Sequence, residues 1–319
     1  MKHKKLGLIL ATLLTSAQAE TVFVTLEKDN ALAVVDPLTG ELIKTVNVGQ
    51  RPRGIAISPD FKRLFIATSD DNVIKVFDAD TLKEIDKLPS GDDPETFALN
   101  PKGDRLYVSN EDDSMVTVID VAKKKAISQI KVGVEPEGIT VSPDNRWVIS
   151  ASETTNMLHW IAAKTGTIEE NTLVDPRPRA VCFTADSQQL WTTSEMAGTL
   201  SILDTHTKQM VKNIHFAIPG VSSNNIQPVG IAIDNNRQRG YVALGPANRV
   251  AVINAKTYEV EKYLLVGQRV WNLAFSPDQK RLYTTNGVSN DISIIDLDKQ
   301  TVTKSIGVGT YPWGLVVKP

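Results

Sequence analysis

The chain has 319 residues, with 35 lysines and arginines against 37 aspartates and glutamates, one cysteine and 6% aromatic residues. This near-neutral charge gives no reason to expect duplex nucleic acid as a partner, because affinity for that polyanion comes mainly from basic side chains. A single cysteine excludes a disulfide framework and any metal site built from several thiolates. Length alone allows one large domain or two ordinary ones, so internal repeats decide the architecture.

The first 19 residues have the composition of an export signal. Three lysines within the first five residues give a positive start, residues 6–14 are apolar, and residues 17–19 read Ala-Gln-Ala, a small-x-small cleavage pattern. The apolar stretch is well short of the roughly 20 residues of a membrane-spanning helix, and no later stretch is long enough. We therefore predict a soluble, exported, periplasmic protein cut after Ala19. The mature chain keeps 32 basic and 37 acidic residues.

A repeat of 42 residues organises the rest of the chain. The nine residues from Pro52 read PRGIAISPD, and the nine from Pro136 read PEGITVSPD. Anchor prolines of this unit recur, with Val270 in the same register, at Pro52, Pro94, Pro136, Pro178, Pro228 and Pro312. The intervals are 42 residues except for one of 50 before Pro228. The pattern indicates seven units, with an insertion between Ile218 and Gln227 that we expect to open on the same face as the anchors.

Each unit is predicted to contain four short strands. In the first complete unit these are residues 54–57, 63–68, 73–78 and 82–88, separated by turns rich in Pro, Asp and Asn. Four strands in about 40 residues is typical of a β-propeller blade.

The two ends of the chain complete one further blade. Three strands are predicted at the start of the mature chain, residues 22–26, 31–35 and 42–48, and one at the end, residues 314–317. We therefore predict an all-β fold, a single seven-bladed β-propeller over residues 20–319. Its ring is closed by three N-terminal strands plus one C-terminal strand, which leaves only short sheet edges.

An Asp or Asn recurs at one strand end of most units. Examples are Asp36, Asp78, Asp204 and Asn254, each followed three residues later by Thr. Such side chains accept hydrogen bonds from the backbone of their own turn. We interpret them as structural caps rather than as catalytic carboxylates.

The residues beside each anchor are predicted to ring one mouth of the central channel, where an outer strand returns to an inner one. Counted as blades 1 to 7, the flanking pairs are Arg51/Arg53, Asp93/Glu95, Glu135/Glu137, Arg177/Arg179, Gln227/Val229, Arg269/Trp271 and Tyr311/Trp313. Loops between second and third strands open on the same face and add Glu111, Glu153 and Glu195.

This predicted ring is sorted by charge and suggests a ligand site. Blades 2 and 3 are acidic, whereas blades 6, 7 and 1 bring aromatic rings and guanidinium groups together, a combination that holds planar anions by stacking and by carboxylate pairing. The candidate ligand-binding residues are Trp271, Trp313, Tyr311, Arg269, Arg51, Arg53, Arg177 and Arg179. The alternative is that the tryptophans pack between blades and that the arginines join a solvated ion-pair network.

Local sequences resemble two groups of propeller proteins. YVSN at residues 107–110 and YTTN at residues 283–286 resemble the YVTN repeat of bacterial surface and periplasmic propellers. More specifically, SETTNM at 152–157, LGPANRV at 244–250, GQRVW at 267–271 and TYPWG at 310–314 are similar to the β-propeller family associated with PQQ-dependent catabolism. That resemblance covers the mature chain. It implies the company of periplasmic quinoprotein alcohol dehydrogenases and carries no established active site.

The main functional hypothesis is a non-enzymatic one. Standard nucleotide, metalloprotease and serine-hydrolase motifs are absent from the sequence. The histidines of the mature chain, His159, His206 and His215, are predicted to lie away from the channel, which argues against a channel-side haem ligand or a histidine-dependent lyase. We expect a monomeric binding or scaffold protein whose channel mouth binds PQQ, a PQQ-dependent dehydrogenase or its cytochrome c.

Two alternatives remain open. The first is a metal-assisted hydrolase or lactonase, in which Ca²⁺ or Mg²⁺ is held by oxygen ligands. Its candidate metal ligands are Glu111, Glu153, Glu195, Asp93 and Glu137. The second is a surface-interaction protein without a small ligand, as the generic YVTN resemblance implies. We assign no catalytic residue and no certain cofactor.

Overall fold

The computed structural model describes residues 20–319, so the predicted export signal at residues 1–19 lies outside the described residues. These residues form seven four-stranded antiparallel sheets, which confirms the predicted seven-bladed propeller. The helical elements of this part of the chain are two short 3-10 turns, Ser69–Asp71 and Ser223–Asn225. No helix within residues 20–319 is long and apolar enough to cross a membrane.

The strands follow the chain around the ring. The chain starts in blade 7 with β1 (Thr21–Leu26), β2 (Ala31–Asp36) and β3 (Glu41–Asn47). Blade 1 has β4 (Pro52–Ile57), β5 (Arg63–Thr68), β6 (Val73–Asp78) and β7 (Glu84–Pro89). Blade 2 has β8 (Pro94–Leu99), β9 (Arg105–Asn110), β10 (Met115–Asp120) and β11 (Lys125–Lys131). Blade 3 has β12 (Pro136–Val141), β13 (Trp147–Ser152), β14 (Met157–Ala162) and β15 (Ile168–Leu173).

The remaining blades repeat this order. Blade 4 has β16 (Pro178–Phe183), β17 (Gln189–Ser194), β18 (Thr199–Asp204) and β19 (Met210–His215). Blade 5 has β20 (Ile231–Ile233), β21 (Arg239–Ala243), β22 (Arg249–Asn254) and β23 (Val260–Leu265). Blade 6 has β24 (Val270–Phe275), β25 (Arg281–Asn286), β26 (Asp291–Asp296) and β27 (Thr301–Gly307). The last strand, β28 (Pro312–Lys318), returns to blade 7.

The two ends of the described chain close the ring as predicted. Strand β28 pairs antiparallel with β1, with Val22 opposite Val317 and Phe23 opposite Val316, so blade 7 has the order β28-β1-β2-β3. Several strand boundaries differ from the prediction by one or two residues; β4 and β28, for example, begin two residues earlier, at Pro52 and Pro312. The fourth strand of blade 1 begins at Glu84, because Leu82 is part of the preceding turn, has a positive φ and donates its N–H to the Asp78 carbonyl.

The apolar core lies between neighbouring blades. Trp147 and Trp160 of blade 3 share one cluster with Phe183 and Leu190 of blade 4, and the two indoles meet edge to face at 5.8 Å. Trp191 of blade 4 packs in the next cluster against blade 5. Burial of such large side chains at each interface holds the sheets in a ring.

The recurrent turn carboxylates act as caps, as predicted. Asp78 Oδ1 accepts the Thr81 N–H at 2.7 Å, and Asp204 Oδ1 accepts the Thr207 N–H at 2.7 Å. The backbone hydrogen bond from Thr81 lowers the pKa of the Asp78 carboxyl. These groups lie in exposed turns at the strand ends and have a structural role.

Candidate functional site at the channel mouth

In most blades the residue before the anchor has a left-handed backbone conformation, which directs its side chain toward one mouth of the channel. The residue before the anchor has a positive φ in blades 1, 2, 3, 4, 6 and 7, at Arg51, Asp93, Glu135, Arg177, Arg269 and Tyr311. That conformation costs a non-glycine residue about 1–2 kcal/mol, so it needs support. An asparagine 21 residues earlier supplies it in five blades by accepting the residue's N–H, as Asn30 does for Arg51 and Asn248 for Arg269.

The mouth opens into a cavity of about 700 Å³. Of the predicted ligand-binding residues, the cavity is lined by Arg51, Arg53, Arg177, Arg179, Arg269, Trp271 and Tyr311. Trp313 instead lines the narrower channel below, whose volume is about 210 Å³. Of the predicted metal ligands, Glu111, Glu137 and Glu195 line the mouth cavity. The structure therefore brings most of the predicted residues to one place.

Arginines and glutamates form one dense cluster at blades 1 and 2. Arg51 donates to Asp93 Oδ1 and to Glu95 Oε1, both at 2.9 Å, and Arg53 donates to Glu95 Oε2. Glu27 approaches both guanidinium groups, at 3.8 Å from Arg51 and 3.5 Å from Arg53. The Glu95 side chain is fully buried, so these bonds compensate its desolvation.

A second cluster occupies blades 3 and 4. Arg179 lies 2.7 Å from Glu137 and 2.8 Å from Glu153, while Arg177 lies 2.9 Å from Glu153 and 3.1 Å from Glu195. Arg269 extends this cluster across the mouth, because its Nη2 donates to Glu195 Oε1 at 3.1 Å. Most of the mouth guanidinium groups are therefore already paired with carboxylates of the protein.

Glu111 differs from the other mouth carboxylates. No lysine or arginine of residues 20–319 lies within ion-pair distance of it, and the residue is half-buried at the edge of the cavity. Burial, with the nearby carboxylates of Glu95 and Asp93, raises the pKa of Glu111 to about 7. Burial also raises the pKa of Glu137 well above its ordinary value, with Glu153 adding to the shift and Arg179 opposing it. The mouth thus contains a carboxyl group that changes charge near neutral pH.

Three carboxylates lie close enough together to share a metal ion. Asp93, Glu95 and Glu111 each place an oxygen within 4.8 Å of the others. Of the predicted metal ligands, Asp93 and Glu111 belong to this group, whereas Glu137, Glu153 and Glu195 are paired with arginines. Carboxylate oxygens suit Ca²⁺ or Mg²⁺, but Arg51 already bonds two of the three groups.

Trp271 forms the centre of an aromatic cluster at blades 6 and 7. The Arg269 guanidinium lies over its ring at 4.2 Å, Arg179 lies 5.7 Å from it, and the Tyr311 ring is 6.4 Å away. Guanidinium groups at such distances are attracted to the face of an indole ring. Trp313 has a similar partner in Arg53, at 5.8 Å, but it faces the channel.

Several residues of the mouth were not predicted as site residues. Glu27 and Lys28 line the cavity, and Glu95 binds both arginines of blade 1. Glu27 stands two repeat periods before Glu111, so the 42-residue spacing was a sufficient signal. The interaction of Glu95 with its neighbours had no sequence signal, because it depends on contacts across two blades.

The inserted segment contributes one residue to the mouth. The segment between Ile218 and Gln227 includes the 3-10 turn Ser223–Asn225, and the side chain of Ile226 packs into the core between blades 4 and 5. Gln227 lines the cavity, and its Oε1 accepts Arg269 Nη1 at 2.6 Å. The insertion therefore opens on the mouth face, as expected.

The three histidines lie away from the channel, as the sequence indicates. His159 is on the third strand of blade 3, His206 is in a turn of blade 4, and His215 is on its outer strand. His159 is buried, and its Nε2 accepts the Gly133 N–H at 2.9 Å. Burial lowers the pKa of His159, so the ring is neutral and holds a loop in place.

Two family models match parts of the chain. The family model described as the choice-of-anchor I domain matches residues 112–275, just over half of the chain. The chain belongs to the choice-of-anchor I domain family. A second model, described as a seven-bladed β-propeller lactonase, matches residues 16–130 of the chain. That segment contains Asp93, Glu95 and Glu111. No curated protein matches the sequence.

Solved structures similar to this chain share its fold at low sequence identity. Hydrazine synthase of Kuenenia stuttgartiensis superposes with a TM-score of 0.79 at 19% identity, over 86% of this chain and 92% of that one. A putative 6-phosphogluconolactonase of Bacteroides fragilis has a TM-score of 0.80 at 17% identity, over 96% and 99%. The periplasmic gluconolactonase PpgL of Pseudomonas aeruginosa has a TM-score of 0.78 at 15% identity, over 95% and 99%. Identities this low establish the fold alone.

The PQQ-associated family and periplasmic export remain predictions for this protein. The family match does not extend to the PQQ-associated propellers, and periplasmic export depends on residues outside those described.

Proposed function

We propose that this protein hydrolyses a lactone at the channel mouth. The observation that carries the proposal is Glu111, a half-buried carboxyl group that lines the cavity and whose pKa is raised to about 7. A general base is most effective when its pKa lies near the working pH. The lactonase family match over residues 16–130 includes this carboxyl group and supports the same reaction.

The proposed reaction uses the residues of the cavity in a simple order. The Glu111 carboxylate takes a proton from water as the water oxygen bonds to the lactone carbonyl carbon. The carbonyl oxygen becomes an oxyanion, which the guanidinium groups of Arg51 and Arg177 stabilise at the mouth. When the ring C–O bond breaks, the leaving alkoxide takes the proton back from Glu111. The product is the open hydroxy acid, and Glu111 is again a carboxylate.

The simplest test is hydrolysis of D-glucono-δ-lactone, followed by proton release in a pH-stat. We expect a saturable rate above spontaneous hydrolysis. Because Glu111 must be deprotonated to act and its pKa is about 7, the rate should fall as the pH is lowered below 7. A rate equal to the buffer blank between pH 6 and pH 8, with or without added Ca²⁺ or Mg²⁺, overturns the proposal.

Removing divalent ions distinguishes the metal-assisted form of the reaction from the metal-free form. Asp93, Glu95 and Glu111 are the residues that would hold a cation, and such a cation would supply polarisation of the carbonyl. If dialysis against EDTA abolishes the rate and Ca²⁺ or Mg²⁺ restores it, these three carboxylates hold a metal. If the rate survives EDTA, the arginine-paired arrangement of the structure is the active one.

A second candidate function rests on the aromatic cluster. Trp271 and Tyr311 line the cavity beside Arg269, which suits PQQ, a flat quinone with three carboxylates. In this alternative the domain carries PQQ or presents the mouth to a quinoprotein dehydrogenase or its cytochrome c. Titration with PQQ should then quench tryptophan fluorescence saturably, and Trp271→Phe should weaken that binding. Absence of saturable quenching removes PQQ as a ligand and leaves a protein partner, sought by pull-down from alcohol-grown cells.

A further inference from the structure

A tyrosine occupies the third position of the second strand in three blades, as Tyr107 in blade 2, Tyr241 in blade 5 and Tyr283 in blade 6. All three side chains are buried. The Tyr283 hydroxyl donates to Glu20 Oε1 at 2.6 Å, and the Tyr107 hydroxyl donates to the carbonyl oxygen of Ala163 at 3.4 Å. The Tyr241 hydroxyl has no hydrogen-bond partner among residues 20–319, although only 2% of the residue is exposed. Buried polar groups without a partner are rare in proteins, so this hydroxyl is available to a molecule from outside the chain.

The residue that precedes the second strand of the following blade explains this difference. Blade 7 has Glu20 at that position, and its side chain reaches back to Tyr283 of blade 6. Blade 6 has the exposed Lys280 there, and an ammonium group cannot accept the proton of a phenol. The Tyr241 side chain instead lines a cavity of about 430 Å³. That volume lies in the range of roughly 300–1,000 Å³ that is typical of small-molecule sites.

This cavity lies between blades 5 and 6 on the face opposite the mouth. Its lining residues include the loops that join first to second strands, at 234–236 and 277–279, and a third-to-fourth loop at 297–298. The mouth is formed by the other two kinds of connection, second to third strand and fourth strand to the next blade. The cavity is therefore separate from the one that Glu111 lines.

The charge of the cavity is negative. Arg239 is the one arginine of the lining, and it is held by Glu261 at 2.8 Å. Lys299, which follows the last lining residue, pairs with Asp296 at 2.9 Å. The carboxylates that line the cavity form no ion pair within the part of the chain that the structure describes: Asp234, Asp278 and Asp298. An anion is repelled from such a cavity and a cation is attracted.

The three carboxylates are spread out rather than gathered around one point. Among residues 20–319, the group of three carboxylates whose oxygens come within 4.8 Å of one another lies at the mouth, so these aspartates do not form a cage for one metal ion. Exposure increases outward, because Tyr241 is buried, Asp234 is half-buried, and Asp278 and Asp298 are exposed. A ligand that meets all of these groups carries positive charge at more than one point.

Ammonium groups match the acceptors of this cavity. Burial raises the pKa of Tyr241 to about 12, so the phenol is neutral at physiological pH and its oxygen can accept an N–H. Carboxylates accept N–H groups of ammonium ions in strong, charge-assisted hydrogen bonds. Leu297 and Pro277 add apolar surface to the lining, against which a methylene chain can pack.

We propose that the cavity between blades 5 and 6 binds a small organic diamine. One ammonium group donates to the Tyr241 hydroxyl oxygen and to Asp234 at the base of the cavity, and the second lies at the rim beside Asp278 and Asp298. The methylene chain between them packs on Leu297. This site is independent of lactone hydrolysis at the mouth and adds a second binding function to the protein.

The test is titration calorimetry of the whole protein with three compounds of similar length. Putrescine has two ammonium groups, n-butylamine has one, and 1,4-butanediol has none. We expect one putrescine molecule to bind per chain, at least about tenfold more tightly than n-butylamine, and the affinity to fall as salt is added. The diol should give no measurable heat of binding. Absence of saturable putrescine binding overturns the proposal, as does equal affinity for putrescine and the diol.

Two tyrosine variants assign the binding to this cavity. Tyr241→Phe should weaken putrescine binding by about tenfold and leave the Tm of the free protein unchanged, because the hydroxyl bonds no other group of residues 20–319. Tyr283→Phe, the matched control, loses the hydrogen bond to Glu20. It should lower the Tm and leave the affinity for putrescine unchanged.

A pair of aspartate variants separates the cavity from the acidic surface as a whole. Asp278 Oδ1 accepts the Ser276 hydroxyl at 2.6 Å and the Lys280 N–H at 3.0 Å. Asp144 makes the same two turn bonds, at the same distances, in blade 3. Asp278→Asn should therefore weaken putrescine binding, whereas Asp144→Asn should not. Affinity that survives both Tyr241→Phe and Asp278→Asn places the diamine elsewhere on the protein and contradicts the proposal.

Discussion

Replacing Glu111 with glutamine is expected to lower kcat for lactone hydrolysis by about a thousandfold, the usual size of a general-base contribution. Glutamine keeps the shape of the side chain but cannot take a proton from water. KM should change little, because Glu111 acts on the water rather than on the body of the substrate. Steady-state kinetics of wild type and Glu111→Gln, measured at pH 7.5 on D-glucono-δ-lactone, checks both values.

Two comparisons distinguish loss of the general base from loss of the fold in Glu111→Gln. Glu135→Gln alters a carboxylate on the same face that does not line the cavity, and it should keep wild-type activity. The folded protein raises the pKa of Glu111 to about 7, so ionisation costs stability as the pH rises from about 4.5, the value expected for the unfolded chain. Glu111→Gln should therefore have a higher Tm than wild type at pH 8 and gain less at pH 5. Activity within tenfold of wild type contradicts the base role.

The repeat allowed the fold to be predicted from the sequence, because every blade packs with the same short pattern of residues. Anchor prolines, strand lengths and turn residues recur every 42 residues. An error in predicting the strands of one unit is therefore corrected by comparison with the other units. The number of blades and the closure of the ring follow from counting the repeat units. Single boundaries, such as the start of β7 at Glu84, depend on one turn residue and are less constrained by the pattern.

The candidate site was only partly predictable from the same repeat. Register placed Arg51, Arg179 and Trp271 on one rim, because equivalent residues occupy equivalent places in every blade. Register did not predict which side chains these residues contact. Arg51 contacts carboxylates of blades 2 and 7, and Arg269 reaches Glu195 of blade 4 across blade 5. Such contacts depend on side-chain reach between sheets and have no signature at a fixed spacing.

Charge sorting along the sequence therefore gave an incomplete picture of the mouth. The sequence suggested a basic half and an acidic half, but the structure pairs most arginines with glutamates. Of the carboxyl groups that line the cavity in the described residues, Glu111 is the one without an arginine or lysine partner. The difference matters for chemistry, because an arginine that already holds a carboxylate attracts a second anion more weakly than a free one.

Arg179→Met is expected to lower the free energy of unfolding by about 3–5 kcal/mol at pH 7.5, the typical cost of removing one partner from a buried ion pair. Arg179 is nearly buried and lies within 2.8 Å of both Glu137 and Glu153. Its loss leaves Glu137 without its ion-pair partner and Glu153 with Arg177 alone. Urea unfolding measures the loss, and the exposed Arg237→Met, which breaks a surface pair with Asp186, should cost less than about 1 kcal/mol.

The pH dependence of that loss distinguishes electrostatics from packing. Since burial raises the pKa of Glu137, the folded variant can protonate this group in mild acid and relieve the repulsion. The destabilisation caused by Arg179→Met should therefore be smaller at pH 5 than at pH 7.5. The double variant Arg179→Met/Glu137→Gln should recover a large part of the lost stability at pH 7.5, because it removes one of the two carboxylates. A cost that is the same at both pH values, with no recovery in the double variant, means that Arg179 fills space at the mouth rather than balancing its charge.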